Sequence, residues 1–544
     1  MKKIISAMLA TTFIVAGISA QNQGWDIGGI ILDPNAITAM DLFNWSQTTN
    51  GISTARATAM GGALTSLGGD AASMSVNPAG LGMYRQNDIT ITPAVGIAKS
   101  STGDTSAYQS NKSGNFSIGN FGIVLKAYEG TGTVMAVNLG FGYSRLADLN
   151  YHTSYARVGN ASSISGVFAR QLTNGGYVSS NLSSGQNSRF SWWDVAPEDW
   201  GAVLGYKCGL VDDPNGYWQP DMYGNNPSVD QYVTMLSKGA IGEYDLSMGM
   251  NIANKLYFGF SLGLQNLRQR REIYYSEEYF YESAADEPAG MMLEGFNYGQ
   301  TSIASGTGVN FKVGLTYRPT SALRIGAAFH SPTWYSVDFR YGGSMVSRVL
   351  DNAAGSYVNP DPDAYTETWL DAGRDSWNFR TPARLLLGAS YTFGKMAILS
   401  VDYERAWYGN IRTQDTPVGH GAFNGFFKDY FKGSNSLRAG VEIKPVSLMA
   451  VRAGYGYSGS MLKDNATIFS SPVNYETQYV AGGLGFVLSN YFYLDLAYRY
   501  TMQKYTTAKL FYAVDQVGSA DDYSGDFKTD IARHHIILTL GFRF

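Results

Sequence analysis

The sequence ends in HHIILTLGFRF, residues 534–544, and this stretch alternates with a period of two. One face of an extended strand carries Ile536, Leu538, Leu540, Phe542 and Phe544. The other face carries His535, Ile537, Thr539, Gly541 and Arg543, so only Ile537 interrupts an otherwise mostly polar series. An apolar face toward lipid and a polar face toward a lumen are typical of a transmembrane β-barrel strand.

Similar alternation recurs in segments of about ten residues, which is the length of a barrel strand. Thirteen further candidates lie near 86–99, 113–126, 131–148, 237–250, 255–271, 304–318, 322–341, 376–393, 395–411, 434–444, 447–459, 476–488 and 491–502. With the final segment they make fourteen, an even number as single-chain bacterial barrels require. The predicted fold is therefore all-β, an antiparallel transmembrane barrel of about 14 strands that occupies residues 86–544.

The connections between these segments alternate in length. Short turns are predicted at 128–130, 251–254, 318–320, 394–395, 444–446 and 489–490, and long polar loops at 149–236, 272–303, 342–375, 412–433, 460–475 and 503–532. Outer-membrane barrels have short periplasmic turns and long external loops, so both chain termini are predicted to be periplasmic. Composition agrees, because charged residues are only 15% of the chain, against about 25% in soluble domains.

The first twenty residues predict export. Lys2 and Lys3 precede an apolar run at 4–16, and small residues at 17–20 end a cleaved signal peptide at residues 1–20. No later stretch reaches the about 18 apolar residues of a transmembrane helix, so the span is predicted to be built from strands. The chain has 40 basic and 44 acidic residues and no basic stripe, so nucleic acid is not an expected partner.

Residues 21–85 do not alternate and are predicted to form an N-terminal extension and a plug. Helix N-caps are predicted at Asp33, at Ser53 or Thr54, and at Asp70, with Gly61-Gly62 interrupting the second helix and Pro78 and Gly80 ending the third. These helices have too little apolar mass for a core of their own. The barrel lumen is the container that we expect them to fill.

The plug segment also resembles a known family. Ala59-Met60-Gly61-Gly62-Ala63, Asp70-Ala71-Ala72-Ser73 and Asn77-Pro78-Ala79-Gly80-Leu81 follow one another as in the N-terminal hatch of the FadL/TodX family of outer-membrane transporters of hydrophobic compounds. The segments 314–319 and 381–383 resemble later strands of that family. The resemblance implies a fourteen-stranded barrel and passive uptake of long-chain fatty acids or aromatics. It also implies a hatch that includes Gly61, Gly62, Asp70, Asn77, Pro78, Ala79 and Gly80.

In such a hatch, Asn77 is expected to fix the plug by side-chain hydrogen bonds, Pro78 to end its helix, and Gly61 and Gly62 to approach the wall closely. Simple filling of the lumen explains the same residues. The chain departs from the family at 21–53 and 149–236, which are longer than expected. An alternative function is therefore a barrel scaffold for protein secretion or surface attachment.

Outside the plug, few residues suggest chemistry. The sequence shows no catalytic constellation, cofactor fingerprint or histidine pair with metal-ligand spacing, and its single cysteine, Cys208, cannot form an intramolecular disulfide. Arg268, Arg270 and Arg271 are candidates for binding a ligand carboxylate or lipopolysaccharide, or for pairing with Glu277 and Glu278.

Two further features suggest partners. Trp192 and Trp193 are candidates either for an external landing site for hydrophobic solutes or for a self-packed loop core. The terminal Phe544 resembles the signal read by the outer-membrane assembly machinery. The expected partners are thus fatty acids or other hydrophobic small molecules, membrane lipid with lipopolysaccharide, and that machinery.

Overall fold

A computed structural model describes residues 39–48, 51–103, 109–160, 163–182, 192–196, 199–220, 228–283, 287–288, 290–358, 373–414, 420–463, 475–509 and 526–544. The predicted signal peptide, Asp33 and Pro34 lie outside these residues. The helices are α1 (Ala39–Ser46), α2 (Ala55–Ala59), α3 (Ser73–Val76), α4 (Ser165–Asn174), α5 (Ser179–Leu182), α6 (Trp200–Lys207) and α7 (His420–Tyr430). Three 3-10 helices span Pro78–Met83, Trp192–Asp194 and Tyr408–Asn410. None of the described helices is long and apolar enough to cross a membrane.

The strands account for most of the described chain. They are β1 (Asp88–Gly103), β2 (Gln109–Glu129), β3 (Val134–Asp148), β4 (Tyr151–Asn160), β5 (Val211–Asp212), β6 (Gln219–Pro220), β7 (Ser228–Ile252), β8 (Leu256–Phe280), β9 (Met291–Tyr317), β10 (Leu323–His330), β11 (Trp334–Asp351), β12 (Ser356–Val358), β13 (Gly373–Arg380), β14 (Arg384–Phe393), β15 (Ala397–Trp407), β16 (Arg412–Gln414), β17 (Gly433–Val446), β18 (Met449–Ser458), β19 (Thr477–Val487), β20 (Phe492–Lys509) and β21 (Asp526–Arg543).

These strands close into one antiparallel barrel. β21 pairs with β20 and then with β1, from Asp88↔Arg543 to Gly103↔Lys528, so the sheet returns on itself. Four of the barrel strands are interrupted and continue as β3–β4, β10–β11, β13–β14 and β15–β16. The strands β5 and β6 form a separate small sheet, and the short β12 pairs antiparallel with the end of β11. The barrel therefore has fourteen strands, which confirms the predicted fold class and strand number.

The last strand confirms the predicted faces. Ile536, Leu540 and Phe544 are exposed on the outside, whereas Arg533, His535 and Thr539 are buried toward the lumen. Ile537, the residue that interrupted the polar series, is fully buried and packs with Ile52, Ala55 and Ala59. An apolar residue on the lumenal face of a barrel strand thus marks a contact with the plug.

Several strands are longer than the alternation predicted. β8 and β9 have 25 and 27 residues, so much of the predicted loop 272–303 is strand, and β4 and the start of β7 lie within the predicted loop 149–236. On β8 the outward series changes from Leu262 and Leu264 to Arg268, Arg270 and Tyr274. The backbone ladder continues above the apolar belt, where side chains no longer face lipid.

The outer end of the barrel, where the long loops lie, holds a continuous apolar core. Phe168 of α4, Trp200 of α6 and Tyr298 of β9 are all buried in it. The helix α1 contributes Leu42, Phe43 and Trp45 to the same core. Phe544 lies at the end with short turns, whereas α1 lies at the outer end, because its apolar side chains pack in this core. The predicted periplasmic position of the N-terminus concerns residues outside the described ones.

The lipid-facing belt gives a test of the fold. Leu262 faces outward in the middle of the belt, so we expect Leu262→Arg to destabilise the folded barrel by about 2–4 kcal/mol. Tyr274→Arg is the control, since Tyr274 also faces outward but lies above the belt, and its cost is expected to be about 0–1 kcal/mol. Denaturant unfolding in lipid vesicles measures both. Equal losses for the two variants would contradict the assignment of the belt.

Candidate functional site

The plug comprises residues 51–83, from the segment before α2 to the end of the 3-10 helix Pro78–Met83. The Thr54 hydroxyl caps α2 by accepting a hydrogen bond from Ala57 N at 3.2 Å. The Asp70 carboxylate accepts from Ala72 N at 2.9 Å and from the Thr54 hydroxyl at 2.8 Å. The cap predicted at Thr54 is therefore present. The cap predicted at Asp70 is wrong, because α3 begins at Ser73 with Ala72 at its N-cap position and without a side-chain cap. Asp70 instead holds the turn that precedes α3 and ties it to the start of α2.

Asn77 joins three parts of the structure through one side chain. Its Oδ1 accepts from Ala79 N at 3.1 Å and so caps the 3-10 helix, in which Pro78 takes the first position. Its Nδ2 donates to Thr65 O within the plug at 2.5 Å and lies 3.4 Å from Leu315 O of the wall strand β9. The side-chain bonds expected for Asn77 are present, but Pro78 begins a 3-10 turn as well as ending α3.

Glycines of the wall allow the plug to approach the strand backbones. Ten strands each place a glycine against the plug, where an added Cβ would lie closer than 3.0 Å to a plug atom: Gly122, Gly140, Gly249, Gly259, Gly314, Gly326, Gly388, Gly440, Gly454 and Gly483. Several are direct cross-strand partners, as in Gly249↔Gly259 and Gly259↔Gly314. We call these ten residues the glycine ring.

Gly61 of the plug meets the glycine ring from the inside. Its φ of 63° is in the left-handed region, and an added Cβ would lie 2.8 Å from Ala439 O and 2.9 Å from Tyr455 N. Gly62 follows with φ of 72°. Gly61 therefore approaches the wall closely, as expected. Both glycines also adopt a left-handed backbone conformation that other residues rarely adopt.

Polar side chains of the wall hold the plug backbone. Asn138 donates to Leu81 O at 2.7 Å, Arg324 to Leu67 O at 3.0 Å and Tyr479 to Gly61 O at 2.9 Å. Asp402 accepts from Thr65 N at 2.7 Å. These bonds satisfy plug groups that a short irregular segment cannot pair internally.

A charged chain lies on the periplasmic side of α2. Arg56 of the plug pairs with Glu442 at 3.2 Å, and Arg452 bridges Glu442 at 2.7 Å and Asp495 at 2.5 Å. Burial alone lowers the pKa of the Arg56 guanidinium, but Glu442, Asp70 and Asp495 outweigh it and raise that pKa above its usual value. Arg56 is therefore a permanent positive charge that fixes the plug to β17.

The plug separates two cavities. The inner cavity, toward the periplasm, has a volume of about 250 Å³ and is lined by residues that include Arg56, Asp70 and Glu442. The outer cavity has a volume of about 130 Å³ and is lined by plug residues together with charged wall residues such as Arg384 and Arg438. The lumen around the plug is thus partly charged, whereas the apolar volume at the outer end is filled by side chains of the chain itself.

The wall is interrupted beside the plug. β2 pairs with β3 from Glu129↔Ala136 only as far as Asn120↔Ser144. Beyond that point residues 109–119 pair with β1, and among the described residues no ladder joins their other edge to β3 or β4. β4 instead pairs with β7 and lies on the lumenal side of β1, since the buried Ser100 hydroxyl donates to His152 O.

We call this unpaired edge and the strand behind it the β2–β4 seam. One side-chain hydrogen bond crosses it, from Asn115 Nδ2 to Asp148 Oδ2 at 3.0 Å. The plug reaches the same place, because Ile52 N donates to Arg145 O at 2.8 Å. Gly119 of β2 leaves the space that the Ile52 side chain occupies. The start of the plug therefore fills the seam at the level where β2 and β3 separate.

The three arginines predicted as ligand candidates do not form one site. Arg270 faces outward and pairs with Glu272, and Arg268 is also exposed outside. Arg271 faces inward and binds Asp41 of α1 at 2.9 Å. Pairing with Glu277 and Glu278 is one alternative for these arginines, and the described partners of both acids are other residues. Glu277 instead accepts from Ser163 at 2.6 Å, and Arg348 is the partner of Glu278.

Trp192 packs within the loop core. Its ring lies 5.7 Å from that of Trp200 and has the Lys207 ammonium 5.4 Å from its centre. This contact fits the self-packed interpretation for Trp192, while the side chain of Trp193 lies outside the described residues. Sequence reasoning missed the glycine ring, although glycines that recur at lumenal positions of neighbouring strands were the available signal.

Comparisons with known proteins add the following. No family model matches the sequence, and no curated protein matches it. The toluene transporter TodX of Pseudomonas putida is a similar solved structure, with a TM-score of 0.48, 12% identity and coverage of 92% of this chain and 99% of that one. A FadL homologue of Pseudomonas aeruginosa is also similar, with a TM-score of 0.47 and 11% identity. The match covers 92% of this chain and 98% of that one.

Gly259 tests the glycine ring. A Cβ at this position would overlap the backbone of Pro78 and Ala79, so we expect Gly259→Ala to shift the 3-10 helix off the wall and to cost about 1–3 kcal/mol. Unfolding stability and hydrogen exchange of the plug measure this. The control is Gly482→Ala, which faces outward with its nearest neighbour at 3.7 Å. Unchanged exchange in Gly259→Ala would show that the ring is not needed to seat the plug.

Asn77 tests the anchoring of the plug. Asn77→Ala removes the bonds to Thr65 O and Ala79 N in a buried place, and we expect a loss of about 1–3 kcal/mol together with faster hydrogen exchange over residues 65–83. Ser75→Ala is the control, because the Ser75 hydroxyl donates to Ala72 O of its own turn and meets the wall through a long contact of 3.4 Å from the Ser144 hydroxyl. If plug exchange and solute uptake were unchanged in Asn77→Ala, its anchoring role would be lost.

Proposed function

We propose that this protein is an outer-membrane channel for the passive uptake of hydrophobic compounds, such as long-chain fatty acids or aromatics, and that residues 51–83 are its hatch. The observation that carries the proposal is the β2–β4 seam, an interruption of the wall directly beside the plug. The resemblance of the plug motifs to the FadL/TodX hatch agrees with it.

A lateral exit is favoured because charged residues line the inner part of the lumen. Each CH₂ of a solute prefers an apolar environment by about 0.8 kcal/mol, whereas the inner cavity is lined by Arg56, Asp70 and Glu442. A hydrophobic solute gains nothing by crossing that cavity. A path through the seam delivers it to lipid without passing the charged chain.

Plug and seam are coupled in this proposal by one short segment. Ile52 binds the β3 backbone at the seam, and Thr54 begins α2 two residues later. Movement of α2 would therefore pull Ile52 from the space beside Gly119. In the same proposal the chain is exported by its signal peptide, is inserted through recognition of Phe544, and meets lipopolysaccharide with the outward-facing Arg268 and Arg270.

A disulfide across the seam tests the path. In the variant Asn115→Cys with Asp148→Cys, the cysteines replace two side chains in hydrogen-bond contact across the seam. We expect uptake of radiolabelled oleate or toluene by cells to be lost when the pair is oxidised and restored on reduction. The reduced form of the same variant is the internal reference for any effect of the substitutions themselves.

The control pair lies where the wall is already closed. Ser436 and Ser458 face each other on β17 and β18, with hydroxyl oxygens 2.8 Å apart, and a disulfide there changes no opening. Uptake should be equal in its oxidised and reduced forms. Full uptake through the oxidised seam variant would exclude a lateral path.

The packed outer core supports a second candidate function, a scaffold for protein secretion or surface attachment. Leu42, Phe43 and Trp200 fill the outer end of the barrel, where a carrier of solutes needs room. Purification from native membranes followed by mass spectrometry separates the two functions. A bound fatty acid or aromatic supports uptake, and a stoichiometric protein partner with no bound solute supports the scaffold.

A further inference from the structure

The outer cavity carries more positive than negative charge. Its charged lining residues are Arg145, Arg384, Arg438 and Arg499 with a single acid, Glu404. Arg384 lies 3.5 Å from Glu404, and Arg438 donates to the same carboxylate. Arg145 lies 3.6 Å from Asp148. One carboxylate is thus shared by two arginines, and a second is used by Arg145.

Arg499 has no carboxylate partner among the described residues. It is buried, its Nε and Nη2 have no hydrogen-bond acceptor, and its guanidinium lies 5.5 Å from the ring centre of Tyr479. A buried guanidinium that lacks an acceptor is costly, because the water lost on burial is not replaced. An acceptor for Arg499 is therefore missing on the side that faces the cavity.

The surroundings of Arg499 add to the positive charge. Arg533, on the neighbouring strand β21, is also buried and leaves its Nε without an acceptor. Its Nη1 donates to the neutral side chain of Gln503 at 2.9 Å. Asp148 is the nearby acid, but it accepts from Asn115 and lies beside Arg145 and His535. The positive charges of Arg499 and Arg533 would therefore be balanced by an additional anion.

The rest of the lining is apolar. Ile52, Leu64, Val76 and Leu386 border the same cavity. Its volume of about 130 Å³ is close to that of a cavity that holds one benzene molecule, about 150 Å³. The space fits a single ring or a short chain with one charged end, and it does not fit an extended acyl chain.

We propose that the outer cavity binds a compact organic acid, with its carboxylate on Arg499 and its apolar body against Leu64 and Leu386. This inference rests on the proposed uptake function and specifies its solute. Planar guanidinium groups bind carboxylates through paired hydrogen bonds, so the unsatisfied Nε and Nη2 of Arg499 form a suitable fork. The bound acid would lie between the plug and the wall strands that carry Leu386 and Arg499.

Benzoate and benzamide test the proposal, since they share one ring and differ in charge. Isothermal titration of the purified full-length barrel in detergent should give a Kd for benzoate at least tenfold lower than for benzamide. Arg499→Gln should weaken benzoate binding at least tenfold and leave benzamide unchanged, and Arg499→Lys should recover part of the loss. The control is Arg374→Gln, which alters an exposed arginine that pairs with Asp338. Heat-modifiable electrophoretic mobility confirms that each variant is a folded barrel.

Three outcomes would overturn the proposal. These are equal affinity for benzoate and benzamide, benzoate binding that survives in folded Arg499→Gln, and inorganic phosphate that binds as tightly as benzoate, which would make the site one for simple anions. The seam disulfide keeps this test separate from the proposed function. If the oxidised seam blocks toluene uptake while benzoate fails to bind, only the acid site is lost. If the unmodified protein takes up neither toluene nor benzoate, the proposed uptake function itself is wrong.

Discussion

The pairing of β1 with β21 is the constraint on which the rest of the structure depends. In lipid, every backbone N–H and C=O needs a partner within the protein, so a spanning sheet must close. Among the described residues, the edge of β2 at residues 109–119 stays open, and β4 lies on the lumenal side of the neighbouring strand β1. An unpaired edge is thus tolerated only where another part of the chain covers it, and the plug reaches that same place through Ile52.

Closure creates the second requirement, a filled lumen. The plug is too small to form a core, and it is held by complementary features of the wall. The glycine ring brings the strand backbones close, and side chains such as Asn138, Tyr479 and Asp402 bind the plug backbone. The plug and the inner surface of the wall therefore form one packed unit. This unit divides the remaining space into an inner charged cavity and an outer cavity with unbalanced arginines.

Local pattern predicted what depends on neighbours in sequence. Alternation placed Ile536 outside and His535 inside, and capping chemistry identified Thr54, because strand faces and helix starts are set within a few residues. Contacts between distant segments were beyond its reach. Asp41 and Arg271 are 230 positions apart, so no local signal joins them. The position of α1 at the outer end depends on a core assembled from several loops. The strand extensions above the belt lack the apolar face that identifies a barrel strand in a sequence.

Ile537 joins the plug to the strand that closes the wall. The plug precedes β1 in the chain, yet α2 packs on Ile537 and binds Thr539, both on β21. The 3-10 helix, in contrast, lies on β7, β8 and β9 near the middle of the chain. The plug is thus seated on two distant parts of the sequence. Because β21 also pairs with β1, closure of the wall and seating of α2 depend on the same strand.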